Sequence, residues 1–278
     1  MRTTRRGFLA AALAAPAAFG APDKRLKIGV TDWNLRMAGN VEALALARKI
    51  GFEGVEVSLG RKPGGGKLPL DDAGVQKAYL DAARKHRIRL AGTCLDILHV
   101  NYLKNDKLGQ KWVADGIRIT KLLNARVMLL PFFGKGALTT TQEMDYVGDA
   151  LRELAPEAAK AKVLLGLEDT ISAENNVRIM ERSRSAAVQT YYDVGNSTSA
   201  GFDPIREIRW LGKDRICQIH LKDNPNYLGE GNIDFPGVLK AIADIRFEGF
   251  ANLETNAPSK SIEDDMRRNL AFIRKLLA

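Results

Sequence analysis

Eight short apolar runs recur along the chain at a nearly constant distance, and this spacing constrains the fold more than any other feature. The first run starts near residue 28 and the last near residue 250, with steps of about 32 residues between neighbours. The runs span 28–33, 54–58, 88–94, 126–131, 163–168, 189–193, 216–222 and 250–254. Several are too apolar for a strand with one solvent face, which is typical of parallel strands covered on both sides.

Helical patterns follow each of these runs. They span 41–50, 70–86, 107–123, 141–160, 174–182, 204–211, 236–245 and 261–277. Asn40 is a candidate N-cap of the first helix, Asp71 or Asp72 of the second, and Pro156 predicts a kink or a break in the fourth. Eight strands alternating with eight helices predict an α/β protein with a single (β/α)8 TIM barrel. The alternative, an open doubly wound sheet, more usually has a glycine-rich turn after its first strand, which residues 31–34 lack.

The first 21 residues have the organisation of an export signal. A short basic region is followed by about a dozen mostly Ala and Leu residues, and the segment ends in small residues. The pair Arg5–Arg6 before Phe8 and Leu9 resembles a twin-arginine signal. The apolar run is shorter than the ~20 residues that span a bilayer, so no stable membrane span is expected. We therefore expect a signal peptide over 1–21, a barrel over 22–278 and a periplasmic or extracellular protein. The alternative is an N-terminal amphipathic helix that stays on the protein.

Charge and composition exclude several classes of function. The chain has 42 Lys and Arg against 33 Asp and Glu, a net charge of +9, and these charges are scattered. Because no basic stripe is visible, we expect no nucleic-acid partner. With two Cys and three His, a Cys-rich zinc module is excluded, and any metal site must consist mostly of carboxylates.

Four metal-binding side chains stand at or near the ends of four consecutive predicted strands. Glu168 ends the fifth strand, Asp193 ends the sixth, His220 lies in the seventh and Glu254 ends the eighth. In TIM barrels these strand ends form the active-site face, so the four side chains should meet at one rim. Three carboxylates there would repel each other unless a cation neutralised them. Taken singly, each is also consistent with a strand-end charge that pairs with a lysine or an arginine.

One imidazole with three carboxylates suits Mn²⁺, Mg²⁺ or Co²⁺ better than a structural zinc site. An incompletely filled coordination shell would leave room for two substrate oxygens.

The motifs around these residues resemble those of the xylose isomerase-like TIM barrels, the sugar phosphate isomerase/epimerase family. They are LGLED at 165–169, YYDVGN at 191–196, QIHLKD at 218–223, LGEGNIDF at 228–235 and NLET at 252–255. The resemblance implies one divalent ion on Glu168, Asp193, His220 and Glu254, with Mn²⁺ favoured and Mg²⁺, Co²⁺ or Zn²⁺ as alternatives. In the ketose 3-epimerase branch the two glutamates act as an acid/base pair, and Glu174 matches a position that contacts the sugar.

The sequence departs from that branch at two sugar-orienting positions. Asn196 stands where the branch has a histidine, and Asn226 stands where it has an arginine. The resemblance therefore does not extend to 3-epimerase activity on free ketohexoses, although Asn196 remains a candidate substrate contact. The DNA endonucleases of the family need three zinc ions and many histidines, which His86, His99 and His220 cannot provide.

Three further residues are weaker candidates for substrate binding. Lys222 follows His220 by two residues and so points to the same side of the strand, where it would stabilise an enediolate oxygen or pair with a carboxylate. Trp33 would stack on a sugar or belong to the core. Glu56, at the end of the second strand, would bind substrate hydroxyls or an arginine of a loop.

These features predict a metal-dependent isomerase or epimerase. Glu168 or Glu254 would abstract a proton next to a metal-bound carbonyl, giving an enediolate. Export favours a non-phosphorylated sugar or sugar derivative, since sugar phosphates are kept in the cytoplasm. The alternatives are a lyase that cleaves 3-keto-glycosides by elimination and a non-catalytic sugar-binding barrel. Family members often form dimers or tetramers, so the resemblance also implies a homo-oligomer.

Overall fold

The eight predicted strands form a closed parallel barrel. The computed structural model describes residues 26–278. Its strands are β1 (Lys27–Thr31), β2 (Gly54–Ser58), β3 (Arg89–Cys94), β4 (Val127–Pro131), β5 (Leu164–Glu168), β6 (Val188–Asp193), β7 (Ile216–Leu221) and β8 (Phe250–Leu253). Each strand pairs with the next, and β8 pairs in parallel with β1 to close the barrel. The predicted single (β/α)8 barrel is therefore confirmed, whereas the predicted signal peptide lies outside the described residues.

Helices surround this barrel. They are α1 (Ala43–Ile50), α2 (Ala73–His86), α3 (Lys107–Leu122), α4 (Thr141–Ala161), α5 (Ala173–Ser183), α6 (Val194–Ser199), α7 (Pro204–Leu211), α8 (Phe235–Asp244) and α9 (Ile262–Leu277). Eight of them correspond to the predicted helices. The short helix α6 was not predicted; it starts directly after β6, because the Asp193 side chain accepts a hydrogen bond from Asn196 N and caps it.

Three local predictions can be compared with the helix ends. Asn40 does not cap α1, which starts after Glu42; the Asn40 side chain instead accepts from Glu42 N in the preceding turn. Asp72, one of two candidates, caps α2 by accepting from Val75 N. Of the kink or break predicted at Pro156, the break is wrong, because α4 continues to Ala161. A capping box at its start and a buried face stabilise α4, which offsets the hydrogen bond that proline removes.

The core has one layer between the strands and the helices and a second inside the barrel. The strands β2, β4 and β7 are buried along their whole length. Inside the barrel, Cys94 and Cys217 belong to a small cluster with Tyr191, and both are buried free thiols. Within residues 26–278, no helix is long and apolar enough to cross a membrane.

Candidate active site

The four predicted metal-binding side chains converge at the carboxyl ends of β5 to β8. Glu168, Asp193, His220 and Glu254 each offer one ligand atom, and these atoms all lie within 4.8 Å of one another. His220 Nδ1 faces all three carboxylates, at 2.9 Å from Glu168 Oε1 and 3.7 Å from both Asp193 Oδ2 and Glu254 Oε2. The barrel therefore gathers into one small volume residues that are far apart in the sequence.

This donor set fits a divalent cation. Ligand bonds of about 2.1 Å at right angles place neighbouring donors roughly 3 Å apart, close to the separations around His220 Nδ1. Three carboxylates and one imidazole suit an oxygen-preferring ion such as Mn²⁺ or Mg²⁺. Glu168, Asp193 and His220 are buried, so an uncompensated set of these charges would be costly.

A buried carboxylate, that of Glu56, contacts the second ring nitrogen of His220. Glu56 Oε2 lies 2.8 Å from His220 Nε2, and both side chains are fully buried. The same oxygen accepts hydrogen bonds from Tyr191 Oη at 2.6 Å and Asn252 Nδ2 at 3.2 Å. Donation from Nε2 to Glu56 directs Nδ1 toward the other carboxylates. Glu56 thus has partners different from the two we expected, which were substrate hydroxyls and a loop arginine.

Lys222 and Trp33 hold the carboxylate of Glu254. Lys222 Nζ lies 2.5 Å from Glu254 Oε2 and 2.8 Å from Asp193 Oδ2. Trp33 Nε1 donates to Glu254 Oε1 at 2.9 Å, and its ring meets that of His220 edge-on. Of the two alternatives for Lys222, pairing with the acidic residues is therefore observed in the structure. Trp33 packs against the cluster inside the barrel and also lines the cavity described below, so its contact with a sugar stays a prediction.

The YYDVGN motif builds one wall of the site. Asp193 caps α6 through Oδ1 and presents Oδ2 to the cluster. Asn196 Nδ2 lies 3.5 Å from Glu168 Oε1, and Asn196 also lines the cavity. A Cβ atom at Gly195 would lie 2.9 Å from Lys222 Cγ, so the glycine allows the lysine to pass.

Hydrogen bonds join the QIHLKD and LGEGNIDF motifs next to this wall. Asp223 Oδ2 accepts from Gly229 N at 3.0 Å and from Gly231 N at 2.9 Å. The loop after β7 is thereby tied to the strand that carries His220.

Burial and neighbouring charges raise the pKa of some residues of the cluster and lower that of others. Burial raises the pKa of Glu168 to about 8, and the charge of Glu254 adds to this effect while His220 opposes it. Burial disfavours the charged form of His220, but the surrounding carboxylates, Glu168 foremost, raise its pKa. Burial also opposes ionisation of Asp193, yet Lys222 and His220 lower its pKa. Lys222 is itself partly buried, but Asp193 and Glu254 raise its pKa.

A cavity of about 320 Å³ opens above the cluster. On one side it is lined by Glu168, Asn196, Lys222 and Glu254, which follow β5 to β8, and by Trp33. The opposite side is lined by Arg61, Cys94, Asp96, His99, Pro131 and Phe133, which lie on β3 and β4 or in the loops after β2, β3 and β4. In the sequence analysis, His99 is named only among the three histidines, and Arg61, Asp96 and Phe133 are not singled out. Their position after predicted strands is the signal that could have identified them as site residues.

Two features lie apart from this cavity. Glu174 is exposed in the first turn of α5 and is not among the residues that line the cavity. Its contact with a sugar stays a prediction.

A larger cavity of about 1230 Å³ opens among the amino-terminal ends of the strands, around Arg89, Arg126 and Phe250, and contains none of the four cluster residues. We assign the chemistry to the smaller cavity because barrel active sites lie at the carboxyl ends of the strands.

Comparisons with known proteins agree with this architecture. A family model described as "Xylose isomerase-like TIM barrel" matches residues 44–276. A curated relative, "Putative L-ribulose-5-phosphate 3-epimerase SgbU" of Escherichia coli (strain K12), is 33% identical over 110 residues. That match covers 34% of this chain and 38% of the relative, so the chain spans well under half the length of the curated relative it matches.

Solved structures share the barrel at low identity. The 3-keto-D-glucoside 4-epimerase YcjR from E. coli superposes with a TM-score of 0.71 at 16% identity, over 90% of this chain and 100% of that chain. The IOLI protein with a bound zinc atom superposes with a TM-score of 0.72 at 17% identity, over 90% of this chain and 98% of that chain. At these identities the likeness shows the fold alone.

Proposed function

Because the chain belongs to the family of xylose isomerase-like TIM barrels, we propose that it is a divalent-metal-dependent isomerase or epimerase of a sugar. One observation carries the proposal: Glu168, Asp193, His220 and Glu254 meet at the mouth of the barrel with their ligand atoms within 4.8 Å. The name of the curated relative, which contains the words "Putative L-ribulose-5-phosphate 3-epimerase", supports this class of reaction. We propose Mn²⁺ as the ion, since carboxylates dominate the donor set.

The substrate is proposed to be a non-phosphorylated sugar or sugar derivative. This part rests on the export signal that residues 1–21 predict, because sugar phosphates are kept in the cytoplasm. The name of the curated relative contains a phosphorylated sugar, and that property is not carried over to this chain.

The proposed reaction is a proton transfer at carbon. When bound, a divalent ion acts as a Lewis acid that makes a C–H bond next to a carbonyl more acidic. Glu168 or Glu254 removes that proton, and Lys222 Nζ stabilises the negative oxygen of the enediolate. The other glutamate returns a proton to the opposite face of the same carbon, which gives an epimer. Return of the proton to the neighbouring carbon gives an isomer.

The protein surroundings suit these two roles. Glu168 is buried at the end of β5, whereas Glu254 is partly exposed. Glu254 is held on both oxygens, by Trp33 Nε1 and by Lys222 Nζ, so its orientation is fixed before a substrate arrives. Two carboxylates in different environments are the arrangement that an acid/base pair requires.

Solvent exchange tests the proposal directly. Metal-loaded protein is incubated in D₂O with a panel of free ketoses, aldoses and 3-keto-glycosides, and deuterium uptake next to the carbonyl is followed by NMR. We expect uptake with the parent protein and its loss in Glu168→Gln and Glu254→Gln. Glu153→Gln is the matched control, since Glu153 is exposed on α4. The metal content of each variant is measured in parallel, because Glu168 and Glu254 are also proposed ligands.

Elimination is the second candidate, and the extent of the cavity favours it. The side formed by Asp96, His99 and Phe133 leaves room for a group attached to the reacting sugar. An enediolate next to such a group can expel it, so the same proton abstraction would cleave a 3-keto-glycoside. Product analysis separates the two, since elimination releases the attached group and isomerisation conserves mass. Tight sugar binding without exchange for any substrate would refute both and leave a binding protein.

A further inference from the structure

We infer that the β2–β4 side of the cavity is a subsite for a second sugar ring, so that the substrate is a disaccharide or a larger saccharide derivative. This subsite consists of Arg61, Asp96, His99 and Phe133, and it faces the metal-binding side across the mouth of the barrel. The inference rests on the proposed function, because it specifies which sugars the site takes.

Asp96 is the anchor of this subsite. Its side chain is only 8% exposed, yet it lines the cavity. Oδ2 accepts a hydrogen bond from Ser58 Oγ at 2.6 Å, whereas Oδ1 lies 4.0 Å from Arg61 Nε, beyond hydrogen-bond distance. On the cavity side, Oδ1 can accept hydrogen bonds from the hydroxyl groups of a sugar ring.

The backbone and side chains beneath Asp96 hold it in place. Ser58 N donates to Asp32 Oδ2 at 3.0 Å, and the same oxygen accepts from Gly39 N at 2.9 Å. Asp32 and Ser58 are buried at the ends of β1 and β2. The carboxylate of Asp96 is therefore fixed before a ligand arrives, which lowers the entropic cost of binding.

His99 and Phe133 add a flat surface to this polar anchor. Their rings are stacked, with centroids 6.3 Å apart and planes 26° from parallel. Burial, and next the charge of Arg61, lower the pKa of His99 and so disfavour the charged form of its ring. A sugar ring has an apolar face of C–H groups that packs on such a surface while its hydroxyls reach Asp96 and Arg61. Arg61 is 57% exposed, next to Gly60, and donates from the rim.

The cavity is larger than a single hexose requires. At roughly 15 Å³ per bonded non-hydrogen atom, half the ~30 Å³ of a water molecule in the liquid, a hexose takes about 180 Å³. The cavity measures about 320 Å³ and opens to solvent. One hexose on the metal-binding side therefore leaves about 140 Å³, less than a whole second ring takes, so the outer edge of that ring would lie at the opening.

Calorimetric titration of the Mg²⁺-loaded full chain tests the inference. The probes are glucose with maltose, cellobiose and trehalose, galactose with lactose, and 4-nitrophenyl β-glucoside. We expect at least one disaccharide to bind roughly tenfold more tightly than its component monosaccharide, the effect of one good hydrogen bond to a charged group. Phe133→Ala and, independently, Asp96→Asn should abolish this difference without weakening monosaccharide binding. Val100→Ala is the control, because Val100 adjoins His99 but is 56% exposed.

Each other outcome overturns the inference. If no disaccharide binds more tightly than its monosaccharide, there is no second sugar subsite. If the nitrophenyl glucoside alone gains affinity, the surface takes an apolar group rather than a sugar. If the variants weaken both ligands equally, their effect is structural. The D₂O exchange assay separates this failure from failure of the proposed function. Exchange without disaccharide preference refutes only the subsite, and preference without exchange for any sugar refutes only the reaction.

Discussion

Replacing Glu56 should weaken metal binding although Glu56 is not a proposed ligand. Its Oε2 is 2.8 Å from His220 Nε2 and thereby directs Nδ1 toward Glu168, Asp193 and Glu254. A carboxylate behind a metal-binding histidine fixes its tautomer and ring orientation and raises its basicity. In Glu56→Gln an amide oxygen can still accept from Nε2, but the negative charge is lost.

The expected size follows from this contact. A hydrogen bond to a charged group contributes about 1.5–3 kcal/mol and a neutral one about 0.5–1.5 kcal/mol, so loss of the charge costs about 1–1.5 kcal/mol. That corresponds to a Kd for Mn²⁺ raised roughly tenfold. Glu56→Ala should raise it about a hundredfold, because the acceptor of Tyr191 Oη and Asn252 Nδ2 is lost as well.

Calorimetry with Mn²⁺ measures these constants, and long-range ¹⁵N NMR of the Mg²⁺-loaded protein reports which nitrogen of His220 carries the proton. The spectrum is simple because the chain has three histidines. Glu153→Gln on the surface of α4 is the control for the chemical change. A Kd for Glu56→Gln within twofold of the parent, with an unchanged tautomer, would refute the role of Glu56.

Three further outcomes follow from the structure. Lys222→Met should slow deuterium exchange roughly 10²-fold, as loss of an oxyanion donor does, while calorimetry still detects metal binding. Mn²⁺ at a hundredfold excess over its Kd should stabilise the fold by about 2.7 kcal/mol, and a chelator should reverse this shift in Tm; an unchanged Tm would count against the metal site. Partial burial opposes ionisation of Glu143, but Lys104 and the backbone at Thr139 lower its pKa to about 2. Its stabilisation is therefore complete above the unfolded pKa of 4.5 and is lost as the pH falls toward 2. Glu143→Gln should lower the free energy of unfolding by about 1–2 kcal/mol at pH 7 after allowance for solvent screening, and urea denaturation at pH 7 and 3 should show this difference shrinking.

The barrel could be predicted because its signal is local and repeated. Each strand of a closed parallel barrel is covered on both faces, so each appears as an apolar run of five to seven residues followed by a helical pattern. Strand β2 matches its predicted run 54–58, and the ends of the other strands lie within two residues of their predicted runs. The short helix α6 was missed because a single side chain, that of Asp193, both ends β6 and caps the helix. The break expected at Pro156 does not occur because the packing of the long helix α4 outweighs the local effect of the proline.

The metal cluster could also be predicted, whereas its supporting contacts could not. Residues at corresponding strand ends must meet at one rim, so the positions of Glu168, Asp193, His220 and Glu254 were sufficient. The contact between Glu56 and His220 joins residues 164 apart in the sequence and crosses the interior of the barrel. Which side chains meet there depends on strand register and tilt, which no local pattern encodes.

Lys222 connects these structural details with the proposed reaction. Its ammonium group lies between Asp193 and Glu254, two of the four proposed ligands, so the lysine and the proposed metal ion would share the same carboxylates. Three ligand carboxylates together with Glu56 surround one imidazole and one ammonium group, and a divalent cation would balance the excess of negative charge. Gly195 leaves the space through which the lysine reaches this position. A positive charge held there by protein contacts is in place before a substrate arrives, so the enediolate oxygen can be stabilised without reorganising the site.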